Sequence, residues 1–190
     1  ALLAGEIDCA VHSMKDVETI RPESIHIAAM LPRAAVEDRL IGAPSIEALP
    51  QGALIGTASP RRAAQLRALR PDLRTTLLAA AGLDRLGMAD VGATVPAEVM
   101  LPAVAQGAVG IECRADDERM QRLLAAISDA PTQSCVFAER ALLLALGGSC
   151  HSPIGALAQL AGSGVHLRGQ ILLEDGSEEV SGDVMLQSGD

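Results

Sequence analysis

The apolar positions of this chain fall into short runs broken by glycine, proline or charge, and their spacing predicts alternating strands and helices. Ala1 to Ala4 read as the end of a helix stopped at Gly5, followed by a short buried strand from Ile7 to Val11. His12 to Asp16 then forms a loop. A second unit runs from a strand at Ala53–Gly56 through Thr57-Ala58-Ser59 into a helix from Pro60 to Arg70. Its start is well marked: Ser59 is a good N-cap, and Pro60 suits the first helical position, where a missing N–H costs nothing. A third unit places a strand at Thr76–Ala79, a turn at Ala80–Gly82 and a short helix from Leu83 to Leu86. Leu101 to Cys113 is punctuated by glycine and ends in a strand. Asp116 caps a helix to about Ile127, and another runs from about Thr132 to Leu146, where Gly147-Gly148 ends it. Beyond it, apolar runs at Ile154–Leu160, Val165–Leu173 and Val180–Leu186 are separated by glycine-rich or Asp175-Gly176 turns, as in a separate antiparallel sheet. Alternation in the front part makes the expected class α/β.

Composition narrows the function. The 190 residues are 49% hydrophobic and 21% charged, enough to fill a sizeable core and to exclude global disorder. One Phe, no Tyr and no Trp leave no platform for stacking exposed bases, and a net charge of -9 with a pI near 4.9 argues against a nucleic-acid surface. Anions, if bound, are bound locally. Cys9, Cys113, Cys135 and Cys150 are scattered without zinc-site spacing, so no metal is implied, and free thiols in a reducing, intracellular compartment are the simpler reading. No apolar run approaches a membrane span, so a soluble protein with no membrane partner is expected. The chain opens without Met, as though cut from a longer protein, and its targeting is not readable from this end.

Three places concentrate chemistry. Lys15, the only lysine, lies beside Asp16, His12 and Ser13 just past the carboxyl end of a predicted parallel strand, where open α/β sheets place ligands. An exposed polar loop is the plainer alternative. Arg61 and Arg62 occupy the first turn of a helix, where the macrodipole disfavours cations. A carboxylate or phosphate held by both guanidiniums, Thr57, Ser59 and free backbone N–H groups would compensate. Arg67, Arg70 and Arg74 read as a solvated basic face. Cys150 lies in the loop Gly147–Pro153 beside His151, which could lower the thiol pKa, although a buried structural cysteine fits the pattern equally. The other three cysteines, His26 and His166 read as structural residues. Glu112 reads as an exposed strand end, and Asp116 to Glu118 as an exposed helix start.

Taken together, Ala10-Val11-His12-Ser13-Met14-Lys15-Asp16, Gly56-Thr57-Ala58-Ser59-Pro60-Arg61-Arg62, Ala81-Gly82-Leu83-Asp84-Arg85-Leu86-Gly87, Gln106 to Arg114, and Gly148-Ser149-Cys150-His151-Ser152-Pro153-Ile154-Gly155 resemble the porphobilinogen deaminase (hydroxymethylbilane synthase) family in kind and order. The resemblance covers essentially the whole chain. It implies a transferase of tetrapyrrole biosynthesis that joins four porphobilinogen molecules head to tail, releases ammonia and frees hydroxymethylbilane. The growing oligopyrrole is primed by a dipyrromethane cofactor held as a thioether, by motif match on Cys150. The match makes Asp16 the catalytic carboxylate, stabilising the cation left by ammonia. Lys15, Ser13, Thr57, Ser59, Arg61, Arg62 and Arg85 would hold the acetate and propionate groups.

The resemblance also implies an architecture. Two lobes like those of periplasmic binding proteins would enclose the site, and a small α+β C-terminal domain would carry the cofactor cysteine. Residues 1–31 and 100–117 would form lobe one, 32–99 lobe two, and 118–190 the third domain. Family members are longer at both ends, and between Leu73 and Thr76 they carry a further strand, an arginine-bearing glycine loop and a helix that this sequence passes over. A chain lacking those parts is not expected to turn over. A cytoplasmic or plastid monomer is expected. The rival reading is a non-catalytic ligand-binding protein, since two-lobed α/β folds often only bind small anions.

Overall fold

The computed structural model describes residues 1–73, 78–79, 87–88 and 90–187. In chain order the strands are β1 (Cys9–Ser13), β2 (Ile25–Met30), β3 (Asp38–Leu40), β4 (Leu78–Ala79), β5 (Ala93–Val95), β6 (Val109–Arg114), β7 (Ile154–Ala161), β8 (Gly164–Leu172) and β9 (Glu179–Leu186). The helices among the described residues are α1 (Pro60–Leu69), α2 (Glu118–Ala125) and α3 (Ala130–Ala145). The strands form three sheets of three, ordered β1-β6-β2, β4-β3-β5 and β7-β8-β9. The class is mixed α/β, as expected.

The helix starts follow the local chemistry. Ser59 caps α1 by accepting from the Arg62 N–H, with Pro60 at the first helical position. Asp117, one residue beyond the expected Asp116, caps α2 through the Met120 N–H at 2.9 Å. Asp129 caps α3 through the Thr132 N–H at 2.9 Å, so this helix starts two residues before the expected Thr132. The three C-terminal strands match the expected apolar runs within about a residue, and all are antiparallel.

Other expectations are corrected. Residues 1–5 form a turn rather than a helix end, closed by the Gly5 N–H on the Leu2 carbonyl. The first strand lies at 9–13, not 7–11, because pairing with β6 runs from Cys9 opposite Cys113 to Ser13 opposite Val109. That pairing is antiparallel, so the reading of a parallel strand fails, and His12 and Ser13 belong to the strand. Residues 53–56 make only isolated bridges. Of the third expected unit, Leu78–Ala79 forms β4. The turn at 80–82 and the helix at 83–86 lie outside the described residues.

The chain crosses between the first two sheets twice, after Met30 and before Val109, and the crossings are bonded to one another. The Leu31 N–H donates to the Val109 carbonyl and the Ala34 N–H to the Gly107 carbonyl, both at 3.0 Å. One core cluster, including Met14, Met30, Val104, Ala108, Val136, Leu143 and Ile154, joins the first sheet, the second crossing, α3 and β7. Another, including Leu40, Ile55, Leu66, Val95 and Met100, lies between α1 and the second sheet. The inward stripe of α3 is Thr132, Cys135, Val136, Glu139, Arg140 and Leu143. Val136 and Leu143 contribute about 1.5–3 kcal/mol each by burial. Between them the stripe carries a glutamate and an arginine, which organise what lies in front.

Candidate active site

After β1 the backbone makes a single 3-10 turn, Met14–Asp16. Met14 is fully buried, and its N–H donates to the Ala108 carbonyl at 3.0 Å. It packs over Gly110, where a Cβ would overlap the methionine side chain. Driving Met14 inward turns the next two residues out, leaving Lys15 half-buried and Asp16 exposed.

The stretch after Asp16 is strapped down from behind. Arg140 of α3 donates to the carbonyls of Val17 at 3.1 Å, Glu18 at 2.7 Å and Thr19 at 3.5 Å. The Thr19 hydroxyl donates to the Gly148 carbonyl at 3.0 Å. Burial pushes the Arg140 pKa down, as does Arg21, while Glu112 acts against them.

Gly148 opens the loop that carries Cys150. Gly147, at φ +65, reverses the chain after α3. The Ser149 N–H donates to the Ser152 hydroxyl at 2.9 Å, and the His151 N–H to the Ser149 hydroxyl at 3.2 Å. These local bonds close a tight turn with Cys150 at its tip, partly exposed.

These segments meet at a cleft of about 460 Å³ lined by Lys15, Asp16, Glu18, Ala58, Ser59, Pro60, Arg62, Ala103, Gln106, Cys150 and His151. Five of the predicted site residues, Lys15, Asp16, Ser59, Arg62 and Cys150, are thus brought together. Among the described residues neither Lys15 nor Asp16 makes an ion pair or side-chain hydrogen bond. Ser13 is paired with Val109 in the sheet, and the Thr57 hydroxyl accepts from the Ser59 N–H at 3.1 Å; neither lines the cleft. Arg85 and Arg74 lie outside the described residues.

Arg61 is bonded inward, and with Lys15, Ser59 and Cys150 it lines a smaller cavity of about 30 Å³ beside the cleft. Its side chain is buried, donating to Asp38 at 2.8 Å, to Gln65 at 2.7 Å and to the Leu101 carbonyl at 2.6 Å. Arg62 pairs with the other oxygen of Asp38 at 2.9 Å and reaches the cleft wall. The compensator for two cations at a helix N-terminus is therefore a carboxylate of the protein itself. Burial pushes the Asp38 carboxyl up, but Arg61, Arg62 and hydrogen bonds from Arg61 and Gln106 outweigh it and hold its pKa below the ordinary value. Of the expected basic face, Arg67 is exposed and Arg70 is paired with Asp72 at 2.8 Å.

Residues that the sequence pattern does not single out do much of the positioning. Gln106 is fully buried, donates to the Val36 carbonyl at 2.6 Å and to Asp38 at 2.9 Å, and lines the cleft. Its signals are the glycine-punctuated segment around it and its place at the head of the Gln106–Arg114 motif. Glu112 is buried mid-sheet, not exposed, and binds Arg21 at 2.8 and 2.6 Å with His12 at 2.9 Å. Glu139 has no signal beyond its place in an apolar helix.

Among the described residues no three His, Cys, Asp or Glu side chains gather as a metal site, and no helix is long and apolar enough to cross a membrane. A mixed α/β fold with a polar cleft presenting a thiol, two carboxylates, a lysine and an arginine defines a binding protein or enzyme for a small polar molecule. The model described as "Porphobilinogen deaminase, dipyromethane cofactor binding domain" matches residues 1–78 and 72–122, and "Porphobilinogen deaminase, C-terminal domain" matches 133–188. The chain belongs to the porphobilinogen deaminase family.

It is 52% identical to the porphobilinogen deaminase of Sphingopyxis alaskensis, with 98% of this chain and 68% of that protein covered. Identity is 51% to the porphobilinogen deaminase of Paracoccus denitrificans, covering 95% and 66%, and 44% to that of a Roseiflexus species, covering 93% and 66%. The chain thus spans about two thirds of the length of the curated relatives it matches. The Sphingopyxis alignment extends over 213 positions, more than the 190 residues of this chain, so residues of that relative have no counterpart here.

Proposed function

We propose that this chain carries the active site of a porphobilinogen deaminase, a transferase that joins four porphobilinogen molecules, with loss of ammonia, into hydroxymethylbilane for tetrapyrrole biosynthesis. The observation that carries the reading is the meeting of Asp16, Lys15, Arg62 and Cys150 in one cleft from three distant parts of the chain. In this reading residues 1–31 and 100–117 form one lobe and 32–99 a second. Residues 118–190 form the domain that presents the cysteine.

The residues present fit the dipyrromethane that the family's domain binds. Cys150 is partly exposed on a cleft within the roughly 300–1,000 Å³ range of small-molecule sites, and Lys15, Arg62 and the Ser59 hydroxyl supply partners for carboxylates. Bound as a thioether on Cys150, the dipyrromethane would supply the pyrrole to which substrate is joined. Asp16, with its oxygens open to the cleft, stabilises the positive charge that develops on a substrate as ammonia leaves. Arg62, oriented by Asp38 and Gln106, and Lys15 hold acetate and propionate groups. Arg140 and Thr19 fix Asp16 relative to the cysteine loop.

The test is the intact mass of the purified full-length protein, with the segments this chain passes over present, before and after brief exposure to porphobilinogen, with peptide mapping of any adduct. A two-pyrrole addition on Cys150, followed by a ladder of further pyrroles, is expected, and Cys150→Ala should carry no covalent pyrrole. An adduct retained in that variant would show that another residue holds the cofactor. An unmodified mass with reversible porphobilinogen binding, in a chain shown to contain those segments, would replace the enzyme by a binding protein.

A further inference from the structure

The first sheet holds two cysteines that the cleft does not use. Cys9 lies on the edge strand β1 and Cys113 on the central strand β6, and the register sets them directly opposite one another. Opposed residues of an antiparallel pair have Cα atoms about 4.5–5.5 Å apart, inside the roughly 4.4–6.8 Å span of disulfides. Their side chains leave the same face of the sheet, and here both pack into one apolar cluster with Ala29, Ile111 and Leu124. The remaining cysteines are elsewhere: Cys135 packs with Ala158 and Leu167, and Cys150 sits on the cleft loop.

We propose that Cys9 and Cys113 are a redox modification site, closing a reversible disulfide across β1 and β6 on exposure to an oxidised low-molecular-weight thiol. Both thiols are free in this structure. Their unequal exposure assigns the order of events. Cys9 is partly exposed, whereas Cys113 is fully buried and its pKa is pushed up by burial, with Asp117 adding to the effect. The Cys9 thiolate therefore attacks the external disulfide first, forming a mixed disulfide and releasing one thiol. Cys113 then attacks the Cys9 sulfur, its proton passing to the departing thiolate. The mixed S–S bond breaks, the second thiol leaves, and the protein S–S bond forms. Two cysteine thiols are oxidised and one external disulfide is reduced to two thiols.

The bond would lock the edge strand that leads into Met14–Asp16 against its neighbour. It also closes a loop of about a hundred residues, for which chain entropy predicts a large gain.

The experiment treats the native chain with oxidised glutathione, alkylates remaining thiols, and maps the digest without reduction. A peptide pair linked through Cys9 and Cys113 is expected, absent after dithiothreitol, with a melting temperature raised by about 5 °C or more. Cys113→Ser should stop at a Cys9–glutathione adduct, and Cys9→Ser should leave Cys113 unmodified. A parent chain that ends with glutathione on Cys9 and an alkylatable Cys113 on unfolding would overturn the proposal. So would a link from either cysteine to Cys135 or Cys150. Both of these results are read on the parent chain, so the outcome does not depend on the variants folding.

Discussion

The carboxylates of the interior and those of the cleft, Asp16 and Glu18, are treated in opposite ways. Asp38 is held by two arginines and a glutamine amide. Glu139, fully buried, accepts from both Arg33 Nη atoms at 2.6 and 3.0 Å, from the Ala105 N–H at 2.7 Å and from the Ala158 N–H at 2.8 Å. Asp16 is exposed and takes no such partner among the described residues. Desolvation forces the first pattern, because an unpaired buried charge costs several kcal/mol while a fully bonded one can break even. The difference teaches that charge alone does not mark a site here; charge left open on a concave wall does. The same rule divides the adjacent arginines, with Arg61 committed to the interior and Arg62 shared with the cleft.

Removing the best-satisfied carboxylate breaks this contrast most severely. Glu139→Ala strands the Arg33 guanidinium and two backbone N–H groups, among them that of Ala105, which sits at φ +60. A loss of about 3–5 kcal/mol is expected, read as a lower urea midpoint. A shift under about 1 kcal/mol, no more than a single hydrogen bond, would mean that the hub is not a strut.

Asp16→Asn should do the reverse. An exposed, isosteric change leaves stability within about 0.5 kcal/mol. Under the proposed mechanism it slows pyrrole addition by about 10²–10³-fold, or roughly 2.7–4 kcal/mol. Near-normal turnover would remove Asp16 from the chemistry and leave it an ordinary surface residue.

Acid sharpens the contrast at Asp38. Its folded pKa lies below the ordinary value of 3.8, so its pairing contributes stability in full above that value and loses it as pH falls through the folded pKa. Unfolding free energy should drop more steeply below about pH 4 in the parent than in Asp38→Asn, which lacks that titration. Equal slopes in urea melts across about pH 3–5 would place the acid sensitivity in other carboxylates.

What was legible in the sequence follows the same division. Ser59 and Pro60 announced α1, and the Asp175-Gly176 turn and alternating runs announced the C-terminal sheet, because caps and turns act within a few residues. Lys15, Asp16 and Cys150 were legible through short motifs whose order along the chain matches a family. The inward turn of Arg61 was not, because its partner Asp38 is 23 positions away and belongs to another element. Glu139 was hidden for a similar reason. It looks like a helix-surface residue until Arg33, more than a hundred positions earlier, arrives opposite it. The direction of β1 depended on β6, which no local pattern identifies as its neighbour.

The smallest expected effect concerns the bond between the two halves of the cleft. Thr19 donates to Gly148, linking the stretch after Asp16 to the loop that carries Cys150. Thr19→Val keeps the side-chain shape and removes one neutral hydrogen bond, a change of about 0.5–1.5 kcal/mol. If that bond only adds stability, the urea midpoint falls slightly and the rate of adduct formation on Cys150 is unchanged. If it sets the spacing between carboxylate and thiol, adduct formation slows by about 2–10-fold, while the midpoint moves no further than that single bond allows. The second outcome is expected, because Arg140 already pins Val17, Glu18 and Thr19 through their carbonyls. Losing the Thr19 hydroxyl then frees the cysteine loop rather than the turn at Asp16.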